Sequence, residues 1–240
     1  MNSKMKLTPQ EIQRYKRHLL LPEIGEEGQL ALKKSRVLVI GAGGLGNSVL
    51  PYLAAAGVGS ITVLDKDVVD ISNLQRQVLF TENDLGKPKA QIAVERIKAI
   101  NGTGNFKYIQ EFFTGSNALD MAANHDIIID CVDQINVRYL INDVAVHFGI
   151  PMVYGAIHKF EGQVSVFNYK DGATYRCAFP ENQAKTPAPN CEDVGVVGVL
   201  PGVIGMYQAM EVIKIITGAG TVLSNKILMI DLLNNFNHTI

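Results

Sequence analysis

The sequence predicts an α/β fold with a Rossmann-like, mostly parallel sheet and helices on both faces, continuing into antiparallel strands in the C-terminal third. Short, continuously apolar strands alternate with helices, as in parallel sheets that are covered on both faces. A glycine-rich turn joins the first of these strands to a helix. After residue 161 the pattern changes to the alternation of a half-exposed antiparallel strand.

The elements can be placed along the chain from these patterns. The capping box TPQE (8–11) predicts an N-terminal helix within 8–21, which Pro22 ends. Strands are predicted at 37–40, 61–65, 106–110, 127–130, 152–156, 163–169 and 226–231. Helices are predicted at 45–56, 87–100, 137–148 and 200–217, and an irregular loop at 172–190. We expect one domain over 1–240, with a nucleotide-binding half at about 35–157 and a second half at about 158–240.

Composition excludes several classes of function. The net charge of −1 gives no general attraction to nucleic acid or to an anionic membrane. Three cysteines are too few for a disulfide scaffold, so we expect a cytoplasmic protein. The N-terminus has no apolar signal region, and the longest uncharged run, Val194–Met210, is short for a membrane span. We expect that run to be a buried turn and helix.

The glycine turn, VIGAGGLG (39–46), is the first candidate binding feature. Its glycines Gly41, Gly43 and Gly46 form G-x-G-x-x-G after a strand and before a helix, with Gly44 between them. Free N–H groups at a helix N-terminus attract an anion. Asp65 ends the next strand, where a carboxylate can bind ribose hydroxyls. NAD, FAD and ATP all suit this pattern, and a turn that only permits close packing is the alternative.

Polar residues beyond the turn favour a triphosphate. Asn73 and Arg76 follow the second strand, and Lys89 lies in the first turn of the next helix. A nicotinamide needs an apolar slot, whereas a triphosphate under nucleophilic attack needs cations that neutralise the charge of the transition state. Asp133, just past the strand IIID, can bind Mg²⁺ at the same edge of the sheet. Arg76 or Lys89 alone would equally suit a solvated surface.

Seven blocks of sequence, in order, carry a resemblance to a known family. They are RYKRHLLLPEIGEEGQ (14–29), VLVIGAGGLG (37–46), LDKDVVDISNLQRQ (64–77), LGKPKA (85–90), IIDCVD (128–133), GQVSVF (162–167) and GVVGVLPGVIGMYQAMEVIK (195–214). With them the chain resembles the MoeB/ThiF branch of the ubiquitin-activating enzyme superfamily over nearly its whole length.

The resemblance implies an adenylyltransferase that uses ATP and Mg²⁺. The C-terminal Gly-Gly carboxylate of a ubiquitin-fold sulfur-carrier protein, bound by the second half of the chain, would attack the α-phosphate. An acyl-adenylate and pyrophosphate would form. A sulfur donor, such as a cysteine desulfurase or a rhodanese-type protein, would then convert the adenylate to a thiocarboxylate for molybdopterin, thiamine or related pathways.

The resemblance also implies roles for individual residues. The glycine turn would line the phosphate site and Asp65 would bind the ribose. The residues implied to contact the phosphates are Ser72, Asn73, Arg76 and Lys89. Asp133 would bind Mg²⁺. Arg17 would reach the ATP site of a neighbouring subunit, so the resemblance implies a homodimer.

The chain departs from the family at its cysteines. Members usually hold zinc with two Cys-x-x-Cys pairs, but Thr174 replaces the first cysteine of the pair that Cys177 would complete. One thiolate cannot make a tetrahedral zinc site, so we predict no zinc. Cys191 is either an acyl acceptor for the carrier or a bystander thiol. Cys131 is expected in the core.

Three other functions remain as alternatives. The fold could adenylate a small-molecule or tRNA-linked carboxylate, although the block GVVGVLPGVIG favours the sulfur-carrier branch. It could be a non-catalytic scaffold that binds a ubiquitin-like protein, which the intact Arg76, Lys89 and Asp133 disfavour. It could be an NAD-dependent dehydrogenase, which tight binding of NAD without binding of ATP would indicate.

Overall fold

A computed structural model describes residues 6–181 and 195–240. Its strands are β1 Arg36–Ile40, β2 Ser60–Leu64, β3 Asn105–Ile109, β4 Ile127–Asp130, β5 Met152–His158, β6 Glu161–Phe167, β7 Leu228–Asp231 and β8 Phe236–Thr239. Its α-helices are α1 Pro9–Arg14, α2 Lys16–Leu19, α3 Gly25–Lys34, α4 Gly44–Ala56, α5 Lys89–Ile100, α6 Ala118–Ala122, α7 Ile135–Phe148, α8 Tyr175–Ala178 and α9 Val199–Thr217. Short 3-10 turns cover Ile71–Asn73 and Glu82–Asp84.

The strands form one sheet in the order β3-β2-β1-β4-β5-β6-β7-β8. The first five are parallel, and the pairs from β5–β6 onward are antiparallel. The predicted fold class is therefore confirmed. The chain builds outward from β1 to β3 and then returns to place β4 on the other side of β1. Ligands of such sheets bind in the crevice outside the carboxyl ends of the strands at this reversal.

The continuous apolar strands pack on both faces of the sheet. In β1, Val37 and Val39 belong to one buried cluster, and Leu38 and Ile40 belong to another. Side chains of α4, α5 and α9 complete the first cluster, and those of α6 and α7 complete the second. The four apolar residues of β1 are all buried, although they face opposite sides of the sheet. This is why the sequence shows unbroken apolar runs rather than alternation.

The prediction of one continuous N-terminal helix within 8–21 is wrong, because the segment forms two short helices, α1 and α2. Its capping box is present, because Thr8 Oγ1 accepts from the Glu11 N–H at 3.2 Å and Thr8 N–H donates to Glu11 Oε2 at 2.7 Å. The helix breaks at Tyr15, where φ is −96° and ψ is 14°. The buried Tyr15 hydroxyl accepts a hydrogen bond from Asn101 Nδ2 at 2.9 Å, so a long-range contact fixes this residue against the local pattern.

Four elements lie where none was predicted. They are α3, α6, α8 and β8, and α8 falls inside the segment predicted as an irregular loop. The strand predicted at 163–169 instead runs over 161–167, because Asn168 adopts a left-handed conformation with φ of 54°.

Helix α9 is buried on one side only. Leu200, Ile204 and Val212 are buried as expected, whereas Val199, Met206 and Met210 are exposed. Among the residues that the structure describes, it is the one helix long and apolar enough to cross a membrane. It packs against α4 and the sheet, and its buried residues include the polar Gln208 and Glu211. Gln208 Nε2 donates to the backbone oxygens of Asp130 at 2.7 Å and Val153 at 3.3 Å. These contacts are those of a core helix.

Candidate functional site

The glycines of the turn after β1 differ in how closely other atoms approach them. Gly41 has φ of 99°, and a Cβ there would lie 2.6 Å from the Cys131 carbonyl oxygen. A Cβ on Gly46 would lie 2.2 Å from the carbonyl oxygen of Gly41. By contrast, a Cβ on Gly43 would meet only Gln77 Nε2, at 3.8 Å. Gly41 and Gly46 therefore permit close backbone packing, whereas Gly43 faces open space.

That space is a cavity of about 240 Å³ at the carboxyl ends of β1, β2 and β4. The sequence-predicted residues that line it are Gly41, Gly43, Gly44, Asp65, Asn73, Arg76, Lys89 and Asp133. Gly46 and Ser72 lie outside the lining, as does Arg17, which is exposed on α2. Cys191 lies outside the described residues.

Asp65 holds the glycine turn in place. Its Oδ2 accepts from the Ala42 N–H at 2.7 Å, and its Oδ1 accepts from the Asp67 N–H at 2.8 Å. Burial raises the pKa of Asp65, although these two donors act in the opposite direction. Backbone amides therefore orient the carboxylate that is predicted to bind the ribose.

Two cations of the cavity, Lys66 and Lys89, pair with Asp67. Lys89 Nζ lies 3.7 Å from Asp67 Oδ2, and Lys66 Nζ forms a close ion pair with Asp67 Oδ1. Burial acts to raise the pKa of Asp67, but the hydrogen bond from Lys66 and the charge of Lys89 outweigh it and lower the pKa. The Lys66 ammonium also lies 4.7 Å from the centre of the Phe112 ring, another part of the cavity wall.

The segment after β2 is folded by its own side chains. Asp70 caps the 3-10 turn by accepting from the Ser72 N–H at 2.8 Å and from the Ser72 hydroxyl at 2.6 Å. Arg76 Nη1 donates to the Ser72 carbonyl at 3.0 Å, which directs the arginine along the cavity wall. Gln77 also lines the cavity, and its buried Oε1 has no hydrogen-bond partner within 6–181 and 195–240.

A buried ion pair that includes Arg138, in the wall of the cavity, was not predicted. Arg138 Nε lies 3.0 Å from Asp130 Oδ2, and both side chains are nearly inaccessible to solvent. Burial raises the pKa of Asp130 to about 6, against the opposing charge of Arg138. The pattern D-x₇-R across the end of a strand and the next helix is the only sequence signal for this pair, and it has no specificity without the fold.

The cysteines divide between the core and the surface. Cys131 is buried, as predicted, and lines the base of the cavity. Cys177 is exposed, and Thr174 Oγ1 lies 3.2 Å from its sulfur. Hydrogen bonds from Thr174 lower the pKa of the Cys177 thiol. In the described part of the chain, no cluster of three or more histidine, cysteine or carboxylate side chains is placed to bind a metal.

The sequence profile of the ThiF family matches residues 15–240. The chain belongs to the ThiF family. This membership confirms the resemblance that the seven blocks indicated. One relative is the sulfur carrier protein adenylyltransferase of Thermus thermophilus, which is 44% identical over 95% of this chain and 86% of its own length. Another is the SAMP-activating enzyme E1 of Haloferax volcanii, 43% identical over 95% of this chain and 84% of its own length.

Longer relatives share the same region. The probable adenylyltransferase/sulfurtransferase MoeZ of Mycobacterium tuberculosis is 45% identical over 98% of this chain, which spans 61% of MoeZ. Among solved structures, E. coli MccB superimposes with a TM-score of 0.85 at 23% identity, over 98% of this chain and 70% of its own. The structural likeness supports the fold, and the names of the curated relatives agree with the prediction of an adenylyltransferase.

Proposed function

We propose that this ThiF-family protein uses ATP to adenylate the C-terminal Gly-Gly carboxylate of a ubiquitin-fold sulfur-carrier protein. The observation that carries the proposal is that a glycine turn, a ribose-type carboxylate and the cations Arg76 and Lys89 line one cavity together with Asp133. These groups are the ones that ATP and Mg²⁺ require. The curated relatives named above are called adenylyltransferases or an activating enzyme, and the relative from Thermus is named for a sulfur carrier.

The residues present suit magnesium-bound ATP. Gly43 leaves room for a ligand against the N-terminus of α4, where free N–H groups favour an anion. The buried Gln77 Oε1 lacks a partner within the described chain, and a nucleotide could supply a donor to it. Asp133 is one exposed carboxylate in the cavity. Mg²⁺ is usually bound by one or two carboxylates together with substrate phosphates, so one carboxylate is sufficient.

The mechanism follows from the charges of the cavity. Asp65 would bind the ribose hydroxyls, and Arg76 and Lys89 would lie along the phosphates. A carboxylate oxygen of the carrier attacks the α-phosphorus, the bond to the bridging oxygen breaks, and pyrophosphate leaves with the electron pair. Arg76 and Lys89 neutralise the charge that develops on the oxygens during this step. A Mg²⁺ ion held by Asp133 would supply further neutralisation of the phosphate oxygens.

Asp67 positions the lysines of the cavity for the phosphates of ATP. It pairs with both Lys89 and Lys66 and keeps their side chains at the cavity. A triphosphate carries more negative charge than one carboxylate, so it would draw Lys89 away from Asp67. Because Lys89 is almost buried, its ammonium needs an anionic partner in both states.

The remaining parts of the proposal concern partners and organisation. We propose a cytoplasmic homodimer in which Arg17 of one subunit completes the site of the other. The half over 35–157 would bind the nucleotide and the half over 158–240 the carrier. The sulfur donor would be a cysteine desulfurase or a rhodanese-type protein, and the pathway would be that of molybdopterin, thiamine or a related sulfur compound. We expect no zinc, and Cys191 is a candidate acyl acceptor.

Mass spectrometry of the carrier tests this proposal. Purified protein is mixed with ATP, Mg²⁺ and each candidate carrier that ends in Gly-Gly, and the intact carrier mass is measured at short times. One carrier should gain the mass of a single adenylyl group, which is AMP less one water, and the same carrier without its last glycine should not. AMP transfer to a small carboxylate in the absence of any carrier would favour the small-molecule alternative. Binding of NAD with no binding of ATP would favour a dehydrogenase.

A further inference from the structure

We propose that the buried Asp130–Arg138 pair is a positioning device that fixes the loop carrying Asp133, and that Arg138 thereby sets the affinity of the site for Mg²⁺. This inference rests on the proposed function, because it concerns the residue proposed to bind the ion. Arg138 lies in the wall of the cavity and Asp130 is the last residue of β4. Neither is assigned to substrate or to the ion by the proposal above.

The pair holds the peptide groups of Val132, the residue directly before Asp133. The Val132 N–H donates to Asp130 Oδ1 at 3.0 Å, and Arg138 Nη2 donates to the Val132 carbonyl at 2.6 Å. Both backbone polar groups of Val132 are therefore bonded to the two members of one ion pair. The Cys131 N–H, one residue earlier, donates to the Ile40 carbonyl of β1 at 2.9 Å. The chain that leads to Asp133 is thus fixed at successive residues.

The arginine is itself held from several directions. Arg138 Nη2 also donates to the Gly155 carbonyl of β5 at 3.1 Å, and the guanidinium lies 5.1 Å from the centre of the Tyr154 ring. Asp130 Oδ2 and Arg138 Nε face each other at 3.0 Å. These contacts tie the end of β4 to β5 and to the first turns of α7. Asp133 is exposed, so the fixed residues before it in the chain set its position.

The chemistry of this device requires an arginine. The planar guanidinium of Arg138 directs Nη2 at two carbonyl oxygens while Nε faces the Asp130 carboxylate. A lysine has only one nitrogen in its ammonium group and cannot reach these partners in the same geometry. A buried ion pair is weak evidence for stability, because apolar residues of similar volume often replace such pairs at no cost. Mutating a group that orients a metal ligand typically lowers metal affinity or activity by about 10- to 100-fold. We therefore attribute the pair to placement of Asp133.

The test measures nucleotide affinity with and without Mg²⁺ by calorimetry. The variants are Arg138→Lys, which keeps the charge opposite Asp130, and the double change Asp130→Asn with Arg138→Met, which removes both charges together. Each should reduce the gain in ATP affinity that Mg²⁺ provides by about 10-fold or more, and should change the affinity measured in EDTA by less than about threefold. Without metal, the Val132 amide should also exchange with deuterium faster than in the parent protein.

Two controls separate the possible outcomes. Arg36→Lys makes the same change in the exposed Arg36–Asp126 pair, at the amino ends of the strands and away from the cavity. It should leave the ATP affinity unchanged both with Mg²⁺ and in EDTA. Asp133→Ala should remove the Mg²⁺ effect by itself, and adding Arg138→Lys to it should cause no further loss. If Arg138→Lys keeps the full Mg²⁺ effect, or weakens binding equally in EDTA, the positioning role is wrong. If the parent protein binds no ATP, the proposed function itself fails.

Discussion

A Cβ atom on Gly46 would lie 2.2 Å from the carbonyl oxygen of Gly41, five residues earlier in the same turn. The third glycine of the G-x-G-x-x-G sequence therefore lets the first turn of α4 pack on the backbone that leaves β1. Gly43, the middle glycine, has no such neighbour and borders the cavity instead. The two glycines of one motif thus serve packing and ligand space separately.

Because of this difference, an alanine at Gly46 should lower the stability of the fold, whereas an alanine at Gly43 should weaken ATP binding. Gly46→Ala forces the backbone apart, and overpacking of this kind typically costs about 1–3 kcal/mol of stability. We expect its melting temperature to fall by several degrees, as measured by calorimetry. Gly43→Ala should melt as the parent protein does and should bind ATP at least tenfold more weakly. Equal stability of the two variants would contradict this division of roles.

The second prediction concerns Asp133. Because this side chain is exposed and lies at the cavity, Asp133→Ala should preserve the fold and abolish adenylation. We expect ATP–pyrophosphate exchange to fall by about 100-fold or more, the usual cost of removing one strong electrostatic group from an active site. Asp120→Ala, at an exposed position on α6, is the matched control and should retain full exchange. Substantial exchange by Asp133→Ala would refute the Mg²⁺ assignment.

Subunit mixing tests whether Arg17 acts on the neighbouring site. Arg17→Ala and Asp133→Ala should each be inactive alone. In a mixed dimer, one site takes Asp133 from one chain and Arg17 from the other, so it regains both groups. Random mixing of equal amounts should therefore restore about a quarter of the parental exchange activity. No recovery, with mixed dimers verified by native mass spectrometry, would mean that Arg17 has no role across the interface.

The fourth prediction concerns acid stability. Burial acts to raise the pKa of Asp84, but hydrogen bonds from Thr81 and the ion pair with Arg96 at 2.7 Å outweigh it and lower the pKa. The unfolded chain then binds more protons, so the stabilisation is present above about pH 4 and is lost as the pH falls through the folded pKa. Unfolding free energies of the parent and Asp84→Asn, from urea titrations, should differ at neutral pH and converge below pH 4. Curves that stay parallel down to pH 3 would contradict the assignment.

The strands, and the grouping of the motif residues at one cavity, could be predicted because both depend on local patterns. Unbroken apolar runs identify strands buried on both faces, and the motif residues Asp65 and Lys89 lie at strand ends and helix starts that meet at one edge. Helix α3 was missed because its buried residues include Gly28 and Gln29, which carry no apolar periodicity. Strand β8 was missed because all four of its residues are exposed.

The buried pair of Asp130 and Arg138 could not be predicted for a different reason. Its geometry depends on the packing of β4, β5 and α7, and neither residue type nor spacing distinguishes it from a surface pair. The break at Tyr15 likewise depends on Asn101, which is 86 residues away. Contacts that depend on tertiary neighbours are the part of the structure that a single sequence leaves open.

In the proposed reaction, this chain activates the terminal carboxylate of a Gly-Gly carrier with ATP. Exchange of labelled pyrophosphate into ATP tests it most directly, with Mg²⁺ present and candidate carriers added one at a time. We predict exchange with one carrier, none without carrier, and none when the final glycine of that carrier is removed. The absence of exchange with every carrier, while ATP binding is measurable, would show that this chain does not catalyse the reaction.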